Sequence, residues 1–181
     1  MKNLRRLVWL DLEMTGLEIQ HDYIIEIAAI ITDSDLNIIA ESNAIAIHQP
    51  DSVIANMNKW CQETHLASKL VQRVRDSKVL VSEAEQTILE FIMPYVAKNS
   101  SPLCGNSIWQ DRKFLIKYMP TLESYFHYRL FDVTAFKIAS MLWKPELQYK
   151  FNKTHSHLAL EDIRESINEM KFYRKNLFTT L

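Results

Sequence analysis

The chain has 181 residues, of which 48% are apolar and 24% are charged. These values are typical of one globular domain with a buried core, and they exclude a disordered or fibrous chain. The formal charge is −1, from 21 basic and 22 acidic side chains, which excludes a long basic surface for phosphates and therefore a long duplex nucleic acid as partner.

The first third of the chain predicts an antiparallel meander of three strands. Residues 7–13, 23–32 and 37–48 are rich in β-branched and large apolar side chains, which is typical of strands. The short polar connections between them, at 18–22 and 33–36, favour pairing of neighbouring strands.

The middle of the chain predicts two helices. Helical spacing runs over residues 63–76 and 82–98, and Ser82 with Glu85 matches the capping box that opens a helix. Pro94 is expected to kink or end the second helix early.

The last part of the chain alternates strand and helix. A short strand at 102–106 is followed by predicted helices at 110–118, after Asp132, and at 158–176. This order predicts an α/β fold, a mixed sheet with helices on its faces. No repeat, low-complexity tract or linker divides the chain, so residues 1–181 are expected to form a single domain.

Cysteine use and the first residues indicate a compartment. Cys61 and Cys104 have neither metal-ligand nor redox-pair spacing, which favours buried free thiols in the reducing cytoplasm. The apolar run after the basic start is broken at Asp11, too early for a signal peptide or a membrane span. No membrane association is expected.

Two acids end the first predicted strand. Asp11 and Glu13 are two residues apart, so their side chains point to the same face of the sheet. They repel each other unless a cation neutralises them, and hard oxygen ligands suit Mg²⁺ or Mn²⁺. The alternative is a solvent-exposed acidic strand end.

Glycine is scarce, and both glycines lie beside acids. Gly16 follows the strand that carries Asp11, and Gly105 precedes Asn106, Ser107 and Asp111. Where glycine is this rare, it is expected to mark positive φ or a close backbone approach. The alternative is two ordinary turns.

A second candidate group opens the last predicted helix. His157 precedes Asp162 by five residues, which places both near one helix N-terminus. With the other acids they could bind two cations and hydrolyse a phosphodiester, and histidine has the pKa suited to a proton acceptor. A surface or capping histidine is the alternative, and nearby His155 shows that spacing alone decides little.

Three segments together carry a resemblance to a known family. Residues 9–16 (WLDLEMTG), 104–111 (CGNSIWQD) and 157–162 (HLALED) resemble the three motifs of the RNase H-like DEDDh 3′→5′ exonuclease superfamily. The chain resembles its oligoribonuclease family in particular, over essentially the full length, including 126–129 and 143–146.

The resemblance implies a fold and an activity. The fold would be a five-stranded mixed sheet flanked by helices, with three antiparallel strands first and two further strands aligned with the first one. The activity would be that of a homodimer that degrades diribonucleotides and other short single-stranded RNAs to nucleoside 5′-monophosphates, with two Mg²⁺ or Mn²⁺ ions in each site.

The resemblance also implies catalytic roles for five residues. Asp11, Glu13 and Asp162 would bind the first ion, and Asp11 would bridge to the second. Asp111 would help to hold the second ion or its waters. His157 would be the general base.

Substrate contacts are implied in the same way. Leu17 and Trp60 would contact the bases, for which stacking suits any sequence, although ordinary core packing is their alternative. Tyr128 and Arg129 would reach the neighbouring subunit's site, with a surface loop as the alternative. The 5′ phosphate of a dinucleotide would be held by Ser107, Arg129, Thr134 and Lys137.

Some positions depart from the family pattern. Trp109 stands where a small residue is usual, and Glu161 where aspartate is commoner; segment 147–153 is the least family-like. Asp132 is interpreted as a helix N-cap rather than a fifth metal ligand. Two other functions stay open, a broader exonuclease that acts on longer RNA or DNA 3′ ends, and a catalytically silent RNA-binding module.

Overall fold

The computed structural model describes residues 6–147 and 157–178. The strands are β1 (Arg6–Met14), β2 (Ile24–Asp33), β3 (Ile38–Glu41), β4 (Ile45–Ala46), β5 (Pro102–Gly105) and β6 (His127–Asp132). The helices are α1 (Asp51–Ala55), α2 (Lys59–Ala67), α3 (Leu70–Asp76), α4 (Val81–Ile92), α5 (Trp109–Tyr118), α6 (Pro120–Glu123), α7 (Val133–Trp143) and α8 (Ala159–Leu177), with a 3-10 turn at Pro145–Leu147. Most of the departing segment 147–153, and His155, lie outside the described residues.

The strands form one mixed sheet in the order β3-β2-β1-β5-β6. β2 pairs antiparallel with both β1 and β3, whereas β5 runs parallel to β1 and β6 runs parallel to β5. The predicted mixed α/β sheet and the RNase H-like strand order are confirmed.

The predicted third strand, 37–48, is divided into β3 and β4, and both pieces pair with β2. The interruption has a local cause at Ser42. Its hydroxyl accepts the Ala29 N–H at 2.9 Å and donates to the Asn43 carbonyl at 2.9 Å, so a side chain replaces part of the strand ladder. The sheet therefore has the five expected strands plus the two-residue β4.

The sheet is buried on both faces. β2 is buried at every position but its last, Asp33. In β1, Val8, Leu10 and Leu12 pack with α4 and α5, while Leu7 and Trp9 pack with α7 and α8. Odd-numbered β1 positions therefore face α8. In the described ranges, no helix is long and apolar enough to cross a bilayer.

Two helix predictions were wrong in detail. The helix expected at 63–76 is broken at Ser68 and Lys69, where Lys69 takes φ 59° and ends α2 before α3 begins. Cys61 of α2 and the buried side chains of α3 then pack with Ile25 of β2 in one cluster.

The prediction of the residue that caps α4 was also wrong. The helix begins one residue before Ser82, and its N-terminal Leu80 N–H donates to Glu83 Oε2 at 2.7 Å. Glu85 instead accepts the Leu122 N–H at 2.9 Å, a contact with α6. The helix ends at Ile92, before Pro94, as predicted.

Both glycines mark close approaches, and neither has positive φ. A Cβ at Gly16 would lie 2.4 Å from Asp22 Oδ2. A Cβ at Gly105 would lie 2.8 Å from Ile108 Cδ1 and 3.0 Å from the Leu10 carbonyl oxygen. The missing side chains let the chain close tightly on both sides of the end of β1.

Candidate active site

Three predicted residues converge at the carboxyl end of β1. Glu13 lies on the β1 face that α8 covers, Asp162 lies in the first turn of α8, and His157 lies just before that helix with φ 51°. One ligand atom from each side chain lies within 4.8 Å of the other two. Asp11 lies two residues before Glu13, on the same face.

Asp111 reaches this place from the first turn of α5. The last pair of the β1–β5 ladder is Trp9 with Cys104, so the edge of β1 beyond it has no neighbouring strand. The Leu12 N–H on that edge donates to Asp111 Oδ1 at 2.9 Å, and the carboxylate is buried. Asp111 is therefore fixed beside β1 by the backbone of that strand.

Two cavities lie on either side of Asp11 and Leu17. The first, of about 340 Å³, is lined by Glu13, Trp60 and Asp162, among others. The second, of about 320 Å³, is lined by Ser107, Trp109 and Asp111, among others. Because Asp11 and Leu17 line both cavities, the two form one site.

Asp11, Glu13 and Asp111 hold their protons more tightly than ordinary carboxyls. Burial, followed by repulsion from Asp162, raises the pKa of Glu13 to about 8, although Arg73 opposes the shift. Burial, followed by repulsion from Asp111, raises the pKa of Asp11 well above its usual value. Burial raises the pKa of Asp111 to about 7 against the lowering effect of its backbone hydrogen bonds.

This arrangement fits a divalent cation. The donors are mainly hard carboxylate oxygens, which Mg²⁺ and Mn²⁺ prefer. The raised pKa values of Asp11 and Glu13 mean that their negative charge is under-compensated by the protein. A bound cation would supply the missing positive charge.

Leu17 and Trp60 are exposed apolar side chains at the first cavity. Their exposed fractions are 56% and 60%, so ordinary core packing does not describe either residue. The Trp60 ring meets the His157 ring edge-on, with centroids 5.4 Å apart. Trp60 therefore borders both the cavity and the histidine.

Ser107 lines the second cavity, and Thr134 lies beside it without lining the cavity. Their hydroxyl oxygens are 2.9 Å apart, and the Ser107 N–H donates to Thr134 Oγ1 and to Asp132 Oδ1. Ser107 has φ 49°, which these bonds stabilise. Asp132 also accepts the Thr134 N–H, so it is the N-cap of α7, as interpreted from the sequence.

Tyr128, Arg129 and Lys137 are not brought into either cavity lining. All three are exposed, Tyr128 by 72%, and Arg129 and Tyr128 lie on the edge strand β6. The guanidinium of Arg129 lies 5.5 Å from the centre of the Tyr128 ring. These side chains are therefore presented outward.

Trp109 lines the second cavity with 49% of its surface exposed. The Lys113 ammonium lies 4.7 Å from its ring centre, close enough for a cation–π contact. The bulk of this side chain thus lies beside Asp111, at the wall of the cavity.

Sequence reasoning missed His65, a buried residue of the first cavity. Its Nε2 lies 3.0 Å from the Met14 carbonyl oxygen, which requires Nε2 to carry the proton. Its Nδ1 lies 3.9 Å from Glu13 Oε2, and burial lowers its pKa, which favours the neutral ring. No sequence signal distinguishes this single histidine inside a helix.

Glu26 was also missed. It lies in β2 directly opposite Glu13 in the strand register, is fully buried, and forms an ion pair with Arg73. A signal was present, because an acid inside the otherwise apolar segment IIEIAAII needs a buried partner.

A mixed sheet of this order with carboxylates gathered at the end of its central strand defines an exonuclease domain. The family model described as exonuclease matches residues 8–170. Among solved structures, E. coli exonuclease I bound to an oligonucleotide matches with a TM-score of 0.72 and 18% identity, over 96% of this chain and 41% of that chain. Exonuclease I from Methylocaldum szegediense matches with a TM-score of 0.67 and 16% identity, over 94% and 40%. The chain thus spans about two fifths of the exonuclease I chains, a likeness of fold alone.

Relatives of matching length are much more similar. An oligoribonuclease from Francisella tularensis is 58% identical over 179 residues, which cover 99% of each chain. An oligoribonuclease from Marinobacter nauticus is 54% identical over 178 residues, covering 98% of this chain and 99% of its own. The chain belongs to the exonuclease family and, within it, to the oligoribonucleases.

The raised carboxyl pKa values predict how stability depends on pH in metal-free protein. Because the folded state of Glu13 titrates at about 8, against 4.5 ordinarily, the folded protein binds more protons than the unfolded chain between these values. The free energy of unfolding should therefore fall as pH rises from 5 to 8, by on the order of 3 to 4 kcal/mol. Urea titrations in a chelator measure it.

Glu13→Gln should flatten this slope, because it removes one of the titrating acids. Glu63→Gln is the matched control, since Glu63 is an exposed acid on α2 and should leave the slope unchanged. An equal slope in wild type and Glu13→Gln would contradict the assigned pKa shift.

Proposed function

We propose that the chain is a 3′→5′ exoribonuclease that degrades short oligoribonucleotides, chiefly diribonucleotides, to nucleoside 5′-monophosphates. The observation that carries the proposal is the convergence of Glu13, His157 and Asp162, from distant parts of the chain, within 4.8 Å. Such a cluster combines metal ligands with a proton acceptor at one point. The membership among oligoribonucleases supports the choice of substrate.

Two divalent ions, Mg²⁺ or Mn²⁺, are proposed for the site. Asp11, Glu13 and Asp162 would hold the first ion, and Asp11 and Asp111 would hold the second ion or its waters. When bound, a pair of such ions neutralises developing charge on the reacting phosphodiester. The crowded carboxylates supply the negative charge that retains them.

His157 would act as the general base. Its imidazole accepts a proton from the attacking water as the water oxygen bonds to phosphorus. The bond from phosphorus to the 3′ oxygen of the preceding nucleotide breaks, and that oxygen leaves with a proton from solvent. The edge-on contact with Trp60, at 5.4 Å between ring centres, restricts rotation of the imidazole.

The two cavities suit a substrate of two nucleotides. Leu17 and Trp60 expose apolar surface in the first cavity, which suits stacking on any base. Ser107 lines the second cavity, and its hydroxyl, 2.9 Å from that of Thr134, would donate a hydrogen bond to a 5′ phosphate there. Local grips of this kind explain how a chain with net charge −1 could bind RNA.

A homodimer is proposed as the active form. Helix α7 exposes Ile138, Met141 and Leu142 on one side and Trp143 at its end, by 39% to 77%. An apolar patch of this kind marks an interaction site. Tyr128 and Arg129 are presented outward on β6, from where they would reach the site of a second copy, and Lys137 on α7 would join them at the phosphate.

The cytoplasm is proposed as the compartment. Cys61 and Cys104 are both buried free thiols. Unpaired buried cysteines are usual in a reducing environment.

Asp162→Asn should reduce Mn²⁺-dependent cleavage of a labelled 5′-phosphorylated dinucleotide by at least about 100-fold, the scale of losing one group that stabilises transition-state charge. The metal-free variant should melt at the same temperature as wild type or a few degrees higher, because one repelling charge is gone. Glu161→Gln, at the neighbouring exposed position, is the matched control and should retain activity. Normal turnover by Asp162→Asn would exclude the assignment.

Arg129→Ala should reduce kcat/KM for dinucleotides about 10- to 100-fold, since a hydrogen bond to a charged group contributes about 1.5–3 kcal/mol. The loss should be much smaller on chains of about seven to ten nucleotides, whose 5′ phosphate lies beyond the pocket. Rates of wild type and variant are compared against length, with Arg75→Ala, at an exposed arginine that pairs with Asp51, as the control. Equal losses at all lengths would mark a general phosphate contact, and a wild-type rate independent of length would favour a broader exonuclease.

Leu142→Asp should convert the protein to a monomer in light scattering and reduce dinucleotide turnover by about 10-fold or more. The charge would be buried in the proposed interface, where it has no partner. Met93→Asp places the same charge at another exposed apolar position, 55% exposed, and should stay dimeric and active. A fully active monomer would contradict the role given to Tyr128 and Arg129.

A further inference from the structure

Glu26 is a buried acid whose two oxygens both have partners. Oε1 forms an ion pair with Arg73 from α3, and Oε2 accepts the Ala159 N–H at 3.0 Å. The side chain is fully buried in β2, whereas the Arg73 side chain is 38% exposed. One carboxylate therefore joins a central strand to two helices.

The bond to Ala159 caps helix α8 from outside. Ala159 is the first residue of α8, and Leu158 before it makes no side-chain capping bond. The first N–H groups of a helix have no partner within the helix, and a negative charge there interacts favourably with the helix dipole. Glu26 supplies both the acceptor and the charge.

The capped residue, Ala159, lies in the sequence between His157 and Asp162. Ala159 is two residues after His157 and three before Asp162, and Glu26 lies opposite Glu13 on the neighbouring strand. The contact therefore sets where the start of α8 lies relative to the end of β1.

We propose that Glu26 is a positioning residue, which fixes the start of α8 so that His157 and Asp162 meet Glu13. Arg73 supplies the charge that allows this carboxylate to be buried. The inference rests on the proposed roles of His157 and Asp162. A displacement of about 1 Å in such a site costs about 100-fold in rate.

A matched pair of double variants separates the cap from the ion pair. Glu26→Gln/Arg73→Met and Glu26→Met/Arg73→Met both remove the buried charges, and exchanging a buried ion pair for apolar residues is often neutral or stabilising. Only Glu26→Gln/Arg73→Met keeps a side-chain oxygen at position 26 that accepts the Ala159 N–H. We expect its kcat to stay within about 10-fold of wild type.

Glu26→Met/Arg73→Met should lose kcat by about 100-fold, with KM for the dinucleotide changed less than about 3-fold. KM is spared because Leu17, Trp60 and Ser107 do not depend on this contact. Glu41→Gln is the control, since Glu41 also binds α8, through Arg164, but away from its start, and should turn over normally.

Amide hydrogen exchange in metal-free protein gives a readout independent of catalysis. The Ala159 amide should be protected in wild type and in Glu26→Gln/Arg73→Met. It should exchange at least about 10-fold faster in Glu26→Met/Arg73→Met. Amides later in α8 should be unchanged, which also shows that the variant is folded.

Equal kcat in the two double variants would overturn the proposal. So would a fall of both kcat and the free energy of unfolding in Glu26→Met/Arg73→Met while the Ala159 amide is still protected. His157→Asn is run beside them. If His157→Asn is active, the proposed function itself is wrong. If His157→Asn is inactive while Glu26→Met/Arg73→Met has normal kcat, only the positioning role of Glu26 fails.

Discussion

The crowding of carboxylates in a partly buried site at the end of β1 is the constraint on which the rest of the structure depends. Burial raises the pKa values of Asp11, Glu13 and Asp111, and repulsion from neighbouring carboxylates adds to the shifts of Asp11 and Glu13. The protein offsets this only in part, through Arg73 and the Leu12 N–H. The remaining uncompensated negative charge destabilises the metal-free site and favours binding of a divalent cation. The same carboxylates would therefore provide both the affinity for the cation and the chemistry of the site.

The scaffold holds these charges together through contacts between distant segments. The missing Cβ atoms of Gly16 and Gly105 let two loops close beside β1. Asp111 binds the bare edge of the same strand, and Glu26 caps the helix that carries Asp162. Each acid is thereby placed by a rigid element, and the unfavourable approach is maintained by packing and hydrogen bonds elsewhere.

Substrate recognition by a nearly neutral protein has to be local. The exposed side chains of Leu17 and Trp60 and the side chain of Ser107 line the two cavities beside the carboxylates. None of these groups depends on a long basic surface, and each would contact only one or two nucleotides. In the proposed dimer, the exposed apolar side of α7 would contact a second copy, whose β6 would close the site.

The sequence by itself determined what depends on neighbours within a few residues. Period-two alternation placed Asp11 and Glu13 on one face of β1, Pro94 ended α4, and the N-cap role of Asp132 followed from its position before a helix. The motifs then identified the family. Only the tertiary structure decided the break at Lys69, the outward placement of Arg129, and the bond from Glu26 to Ala159, 133 residues away. Such features are fixed by packing between distant segments, and neither local propensity nor periodicity carries information about that geometry.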